Sequence, residues 1–251
     1  RADMRWVATG GREGEPPRER VAHFADSGYS IVRSHWGDAG RSFRDAHYLV
    51  FDCGPLGEGN HGHFDCLSFE LAAHGRSLVV DPGRYTYSEA GDVNWRVRFR
   101  GTAAHNTVGV DGRPQTRYLP KATPAGTRHA SGSVRHKIAG PAPDARLLEH
   151  HHGPHLDLLH GQARSHDYDA VHERCIVFVD RSYWIVSDAL RAPTPHDYLL
   201  NFQLGAEAEG QTTLTAGPGV RVHSPGLLLL QPGRSSQRPA LASSWVSSRY
   251  G

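Results

Sequence analysis

Residues Asn60-His61-Gly62-His63-Phe64-Asp65 place two histidines one residue apart and an aspartate shortly after them. Two later segments carry groups of the same kind. Val79-Val80-Asp81-Pro82-Gly83 has an aspartate after an apolar run, and Ala104-His105-Asn106-Thr107 has a histidine before another one. Side chains at positions i and i+2 of a β-strand lie on the same face. Imidazoles and a carboxylate on neighbouring strands can therefore converge on one metal ion.

The residues between the first two segments predict a β-hairpin. In Cys66-Leu67-Ser68-Phe69-Glu70-Leu71, apolar and polar side chains alternate as in a strand with one buried face. His74-Gly75 would form the turn, and Ser77-Leu78-Val79-Val80-Asp81 would run back. Because the hairpin joins His63 to Asp81, these two side chains are expected to lie near each other.

Similar short apolar segments recur along the rest of the chain, separated by turns rich in Gly, Pro and Asp. No stretch shows a helical stripe of ten or more residues, and we find no internal repeat. This spacing predicts an all-β fold, an antiparallel β-sandwich of many short strands, in a single domain over residues 1–251. Residues 1–20 are predicted to be a polar linker, and 121–154 the least ordered region. The further strands are predicted at 29–33, 48–53, 106–110, 174–179, 183–188, 196–204, 219–223 and 226–230. A turn at Asp180-Arg181-Ser182 is predicted to join the strands at 174–179 and 183–188.

The composition narrows the class of protein. The net charge of +2 argues against a dedicated nucleic-acid binder. No apolar run approaches the roughly 20 residues that span a bilayer, so no membrane partner is expected. Of 28 cationic residues only Lys121 and Lys137 are lysines, and the arginines offer planar groups suited to carboxylates and sulfates. Arg1 is not a natural start, so we expect a fragment of a longer protein.

Cysteine and histidine usage favours simple explanations. Cys53, Cys66 and Cys175 are too few and too scattered for a disulfide framework or a thiolate zinc site, and buried free thiols are expected. The chain also has 18 histidines. The run His150-His151-His152 with His155 can bind metal casually, but a solvated loop is the favoured interpretation.

Several short sequence motifs, in their order along the chain, resemble the C-terminal domain of the heparinase II/III-like family of polysaccharide lyases. The likeness extends from about Phe24 to about Leu204 and is most specific between Asn60 and Gly112. The matching words are Gly62–Asp65 with Leu67–Leu71, Asp81-Pro82-Gly83 with Tyr85 and Tyr87, Phe99–Val108 with Asp111-Gly112, Arg174 with Val177–Val179, and Trp184–Asp188.

The resemblance implies a β-sandwich that follows an N-terminal helical toroid in a larger lyase. Such enzymes cleave uronic-acid-containing polysaccharides by β-elimination, so the expected partners are an anionic polysaccharide and the toroid of the same protein. The final segment, Trp245–Gly251, resembles an internal family segment, so the chain is expected to be cut at both ends. The isolated fragment is expected to be inactive, and periplasmic or secreted localisation is favoured.

The resemblance also implies a metal site. His63, Asp81 and His105 match the family's metal positions, where the ion has a structural role. Three protein ligands of this kind suit zinc, with water or a further group completing a tetrahedron. Asn106 or Asp65 would orient a ligand by hydrogen bonding. Without the resemblance, these histidines would more simply be hydrogen-bonded groups in a polar seam.

The candidate catalytic residues follow from the same resemblance, and the candidate substrate-binding residues follow from alternation along the chain. His61 matches a position that faces the substrate cleft, although it could instead be a metal ligand or support one. Tyr85 and Tyr87 are candidates for a cleft tyrosine, with packing as the alternative. Three alternating arginines would form a cationic strip on one strand face, or a solvated face: Arg96, Arg98 and Arg100.

Two other classes of protein stay open from the sequence. The first is a cupin-like metal-dependent enzyme, although Glu70 lies later than a cupin glutamate should. The second is a noncatalytic carbohydrate-binding or assembly domain. A hydrolase is disfavoured because Glu58 and Glu70 lack a convincing carboxylate partner. His47 and His196 are expected to serve the structure only.

Overall fold

The computed structural model describes residues 2–38, 40–57, 61–120, 136–233 and 237–247. Within these residues the protein is mostly antiparallel β-structure with two short helices. None of the described helices is long and apolar enough to cross a membrane. The helices are α1 (Ala2–Ala8) and α2 (Trp95–Arg100). The strands are β1 (Val21–Phe24), β2 (Tyr29–Arg33), β3 (Tyr48–Asp52), β4 (Phe69–Ala73), β5 (Arg76–Val79), β6 (Val108–Val110), β7 (Asp144–His152), β8 (Leu156–Arg164), β9 (Val171–Val179), β10 (Tyr183–Arg191), β11 (Tyr198–Leu200), β12 (Thr213–Ala216), β13 (Gly219–Ser224) and β14 (Leu227–Pro232).

Two of the sheets form the sandwich. One has five strands in the order β1-β2-β3-β4-β5, and the other has four in the order β10-β9-β8-β7. Every pairing in both sheets is antiparallel. Two smaller sheets accompany them, β11-β6 and β12-β13-β14. The predicted all-β sandwich is confirmed.

Strict alternation of buried and less buried side chains defines the inner faces of the two large sheets. In β8 and β9 every second residue is buried. These residues meet apolar side chains of the five-stranded sheet in one core, because each sheet has one apolar face to remove from water. The fully buried members of this core include Val32, Leu49, Phe51, Leu67, Leu159, Ile176 and Phe178.

The turns that join neighbouring strands follow the sequence prediction. His74 and Gly75 link β4 to β5 with φ values of 55° and 73°. Asp180 and Arg181 link β9 to β10 with φ values of 46° and 54°. Two successive residues with positive φ are the geometry of a type I′ turn, whose twist matches that of antiparallel strands. Both hairpins are therefore confirmed.

Other sequence expectations were wrong. Residues 2–8 form a helix instead of part of a linker, and the strand predicted at 196–204 shortens to β11. Arg96, Arg98 and Arg100 lie in α2 and do not alternate on a strand, because the side chain of Asn94 caps the backbone N–H of Val97 at 3.1 Å. Within the region expected to be least ordered, 144–152 is strand β7, and 121–135 lies outside the described residues.

Candidate metal centre and cleft

The hairpin β4–β5 brings the first two predicted ligands together. His63 and Asp65 lie in the segment that leads into β4, and Asp81 follows the end of β5. The start of one strand and the end of its antiparallel partner are adjacent in space, so these side chains meet at one edge of the sheet. His105 reaches the same edge from the turn after residues Thr102–Ala104.

These four side chains form a compact set of donors. One nitrogen or carboxylate oxygen from each of His63, Asp65, Asp81 and His105 lies within 4.8 Å of all the others. His105 is fully buried, and its Nδ1 lies 2.8 Å from Asp81 Oδ2 and 3.9 Å from Asp65 Oδ2. The ring of His63 is centred 5.0 Å from that of His105. Two imidazoles and one or two carboxylates are a donor set that fits a divalent transition metal.

Electrostatics in this cluster are dominated by burial and by the two carboxylates. Burial alone would lower the pKa of His105, but Asp65 and Asp81 outweigh it and raise that pKa. Burial would likewise raise the pKa of Asp81, but His105 outweighs it and lowers that pKa. For His63, burial and then the neighbouring His105 lower the pKa. The two carboxylates thus favour a positive charge in this cluster.

Asn106 holds the two segments that carry the aspartate and histidine donors. Its Nδ2 donates to the backbone carbonyls of Phe69 at 2.8 Å and Val80 at 2.9 Å, while its Oδ1 accepts from the backbone N–H of Gln203 at 2.6 Å. Asn106 therefore fixes the backbone around the site, whereas Asp65 lies among the donors themselves. The sequence had assigned either of them only to a supporting position.

Arg174 is a supporting residue that sequence reasoning did not assign to the site. It is fully buried between the sheets, and its Nη1 donates to the backbone carbonyls of Leu67 at 2.7 Å and of Asn106. Its Nε and Nη2 bind both carboxylate oxygens of Asp188, at 2.8 and 3.1 Å. An arginine directly before the apolar run 175–179 was the available signal, because such a charge is buried only when fully paired.

His61 and Tyr87 form a second cluster near the candidate metal ligands. The hydroxyl of Tyr87 is hydrogen-bonded to Nδ1 of His61, and the two rings are nearly perpendicular at 5.4 Å. The guanidinium group of Arg84 lies 3.7 Å above the ring of Tyr87. His61 is exposed, so this pair can meet a ligand from solvent. The structure brings two of the three predicted catalytic residues into contact.

Tyr85 has a different environment. Its backbone has a φ of 58°, and its ring stacks on Phe99 at 5.5 Å and meets Trp95 edge-on at 6.1 Å. This is the packing role that the sequence left open as the alternative. A catalytic role for Tyr85 stays a prediction, with no contact to His61 or Tyr87 among its ring contacts.

The predicted arginine strip is replaced by two buried arginines and one exposed one. Nη1 of Arg96 donates to the Tyr87 carbonyl at 3.0 Å. Arg100 donates to the carbonyl of Gly62 at 2.5 Å and to that of His136 at 2.6 Å, so it braces the link between His61 and His63. Arg98 is exposed. Their role in substrate binding stays a prediction.

A cleft of about 780 Å³ opens over both clusters. His61, His63, Asp65 and Asp81 all line it, together with Asp52. Burial and then the charge of Asp65 raise the pKa of Asp52 to about 7. Sequence reasoning missed Asp52, whose only signal was its position at the end of an apolar strand.

An antiparallel β-sandwich whose edge carries a histidine- and aspartate-lined cleft is the class of domain that this fold and site define. Residues 16–251 match the family described as heparinase II/III-like, C-terminal. The chain belongs to that family. Membership of this family argues against the alternative that the chain is a cupin-like metal-dependent enzyme.

Curated relatives are similar to this chain over part of their length. The heparin-sulfate lyase of Bacteroides stercoris is 26% identical over 207 residues, which are 80% of this chain and 25% of that protein. The heparin-sulfate lyase of Pedobacter heparinus is 25% identical over 186 residues, 74% of this chain and 23% of that protein. The chain therefore spans about a quarter of the length of these relatives.

Solved structures share the fold. The crystal structure of heparan sulfate lyase HepC from Pedobacter heparinus has a TM-score of 0.64 at 21% identity, covering 88% of this chain and 31% of that one. A heparinase III structure has a TM-score of 0.63 at 23% identity, covering 88% and 30%. The likeness to these structures concerns the fold alone.

Proposed function

We propose that this chain is the metal-stabilised β-sandwich domain of a polysaccharide lyase that cleaves uronic-acid-containing glycans by β-elimination. The observation that carries the proposal is that His61, hydrogen-bonded to Tyr87, lines the same cleft as the predicted metal ligands His63 and Asp81. Membership of the heparinase II/III-like family and the two heparin-sulfate lyases among its relatives support it.

The reaction removes the proton on C5 of the uronate and breaks the bond between C4 and the oxygen of the neighbouring sugar. The electron pair of the C5–H bond becomes the new C4=C5 double bond, and the departing oxygen takes a proton. The intermediate resembles an enolate, so the uronate carboxylate must be met by hydrogen-bond donors or cations. A base must reach the proton on C5, and an acid must reach the oxygen that leaves C4.

His61 would serve as the donor to the uronate carboxylate. With the hydroxyl of Tyr87 donating to Nδ1, the proton of the neutral imidazole lies on Nε2, which is free to donate to a ligand. The guanidinium of Arg84 on the ring of Tyr87 adds positive charge on the same side. The principal acid/base groups would come from an N-terminal helical toroid. The match to this chain covers only about a quarter of the heparin-sulfate lyase of Bacteroides stercoris, which supports such a partner domain.

The metal would be zinc, held by His63, Asp81 and His105 with Asp65 close by. The fit rests on donor atoms within 4.8 Å of one another, one of them on a fully buried imidazole. When bound, zinc would supply positive charge that neutralises the aspartates and ties three chain segments together. The segment that carries His61 would thereby be held against the cleft, so we assign the metal a structural role.

The test is His61→Ala in the full-length protein, assayed on heparan sulfate by the ultraviolet absorbance of the unsaturated product. We expect kcat/KM to fall by about 100- to 1,000-fold, the usual effect of losing one hydrogen-bond donor to the charge that develops in a transition state. His74→Ala is the matched control, because His74 is an exposed histidine in the β4–β5 turn. Its turnover should be unchanged.

Unaltered turnover in His61→Ala would contradict the proposal and favour a noncatalytic carbohydrate-binding or assembly domain. Equal assays on alginate separate a heparin-like substrate from other uronate polymers. Residues 1–251 alone should show little or no turnover on any of them, because the toroid groups are missing. Strong activity of this isolated chain would refute the shared-cleft arrangement.

A further inference from the structure

We propose a second transition-metal site, formed by His23, His150 and His152 at the lateral edge of the sandwich. One imidazole nitrogen from each of the three lies within 4.8 Å of the other two. Three neutral imidazoles are a donor set for Zn²⁺, with the fourth position left to water. None of these three residues lines the cleft or belongs to the cluster around His105.

The first argument is where the strands place these side chains. β1 is the edge strand of the five-stranded sheet, and β7 is the edge strand of the four-stranded sheet. His23 is carried by β1, whereas His150 and His152 are carried by β7. The cluster therefore joins the edges of the two large sheets.

A β-bulge in β7 places its two histidines on the inner face of the sheet at its edge, where His152 is half-buried and His150 is exposed. The register of β7 against β8 shifts between Leu147 and Glu149. Before the shift, the inner face is marked by Leu147, which packs against the core. After it, His150 lies opposite Leu159 and His152 opposite Asp157, and both of these partners are buried. Without the extra residue, His151 would have faced inward instead.

On the other sheet, β1 presents His23 in the same direction. Val21, two residues earlier, packs against the core, and His23 lies opposite Ser30, which is 1% exposed. Residues two apart in a strand share a face. The inward faces of both edge strands therefore converge. The ring centre of His23 lies 4.1 Å from that of His150 and 4.9 Å from that of His152.

Hydrogen bonds on the far side of the rings orient them toward one point. Nδ1 of His152 lies 3.0 Å from Oδ1 of Asp157, and Nδ1 of His23 lies 2.9 Å from Oγ of Ser30. Asp157 is 2% exposed, and Arg20 contacts its other oxygen at 3.3 Å. A carboxylate that accepts from Nδ1–H leaves Nε2 as the ligand atom, which is the usual arrangement behind a metal-bound histidine.

The facing Nε2 atoms of His23 and His152 are only 2.7 Å apart. Two nitrogens bound to a tetrahedral zinc at about 2.0–2.1 Å would be about 3.3 Å apart, so a shift of a few tenths of an ångström makes room for the ion.

The test uses the full chain without a polyhistidine tag, stripped of metal and titrated with Zn²⁺ against a chromophoric chelator. We expect two equivalents to bind to the wild type and one to His150→Ala. His151→Ala is the matched control, because His151 is exposed on the same strand and points to the opposite face. It should keep both equivalents.

Two further variants separate a built site from casual binding by two surface histidines. Asp157→Asn should weaken the second site about 10- to 100-fold, as expected when the carboxylate behind a ligand is lost. His23→Gln should weaken it at least 10-fold. An unchanged Kd in His23→Gln, or two equivalents in His150→Ala, would overturn the proposal, as would a wild type whose zinc is lost only with His105→Ala. Zinc that survives His105→Ala but not His150→Ala would support this site and contradict the centre at His63, Asp81 and His105.

Discussion

Asp188 shows how a single buried carboxylate can decide the response of this protein to acid. Its two oxygens receive hydrogen bonds from Arg174, and Oδ1 also lies 2.6 Å from Nε2 of His172. Burial alone would raise the pKa of Asp188, but His172 and Arg174 outweigh it and lower the pKa from 3.8 to about 2. The charged form of Asp188 is therefore favoured by folding.

This pKa predicts part of the pH dependence of stability. A carboxyl group whose pKa is lowered on folding adds stability above its unfolded pKa and loses that stability as the pH falls through the folded value. For Asp188 the loss should occur between pH 4 and pH 2 and amount to about 2 kcal/mol. Urea unfolding of wild type and Asp188→Asn at pH 7 and pH 2 measures it.

In Asp188→Asn the unfolding free energy should be lower at pH 7 and should fall less on acidification than in the wild type. Asp92→Asn is the control, since Asp92 is exposed. Equal acid sensitivity in the wild type and Asp188→Asn would show that another group governs the response.

At the scale of elements, the central strand β8 sets how closely the two large sheets approach. A Cβ built on Gly161 would lie 2.4 Å from Sγ of Cys53, 2.8 Å from Cδ2 of Leu67 and 3.2 Å from Cζ of Phe51. All three belong to the buried core. Glycine is required here because the opposing sheet occupies the space of a side chain.

Gly161→Ala should therefore destabilise the fold by about 1–3 kcal/mol through overpacking. The matched control is Gly109→Ala in β6, where the nearest neighbour of an added Cβ is the Leu199 carbonyl oxygen at 3.9 Å. Thermal and urea unfolding of both variants provide the comparison. If the two lost the same stability, close approach of the sheets at Gly161 would not be the cause.

Elements that local sequence determines were predictable, and those that depend on a cap or a bulge were not. The β4–β5 and β9–β10 hairpins have turn residues that adopt positive φ, and both were foreseen. In 95–100, three alternating arginines looked like a strand, but a cap from Asn94 starts a helix instead. The His150-His151-His152 run is in β7, and it was misjudged as a loop because nothing local reveals its pairing partner β8.

At the scale of the whole molecule, each proposed metal ion would link chain segments that are far apart in sequence. One joins the residues around 63, 81 and 105, and the other joins β1 to β7. Each tie is made only in the folded state, so metal binding adds to the free energy of unfolding. Stability should therefore depend on metal to an extent that can be divided between the two sites.

Removing metal with a chelator should lower the melting temperature. At a free zinc concentration about a thousandfold above Kd, one site contributes about 4 kcal/mol, or about 10 °C for a chain of this size. His105→Ala and His150→Ala should each show a smaller chelator effect than the wild type, and the double variant none. If neither chelator nor added zinc changed the melting temperature of the wild type, a structural role for either ion would be contradicted.

The sequence by itself determined the strand content, the main hairpins and, through its resemblance to a family, the candidate metal ligands His63, Asp81 and His105. These depend on alternation, turn residues and ordered motifs, which are local properties of the chain. Only the tertiary structure decided that Tyr87 rather than Tyr85 meets His61, that Arg96 and Arg100 are buried, and that His23 joins His150 and His152. Those outcomes depend on packing between distant segments, where one capping side chain or one bulge changes the face that every following residue presents.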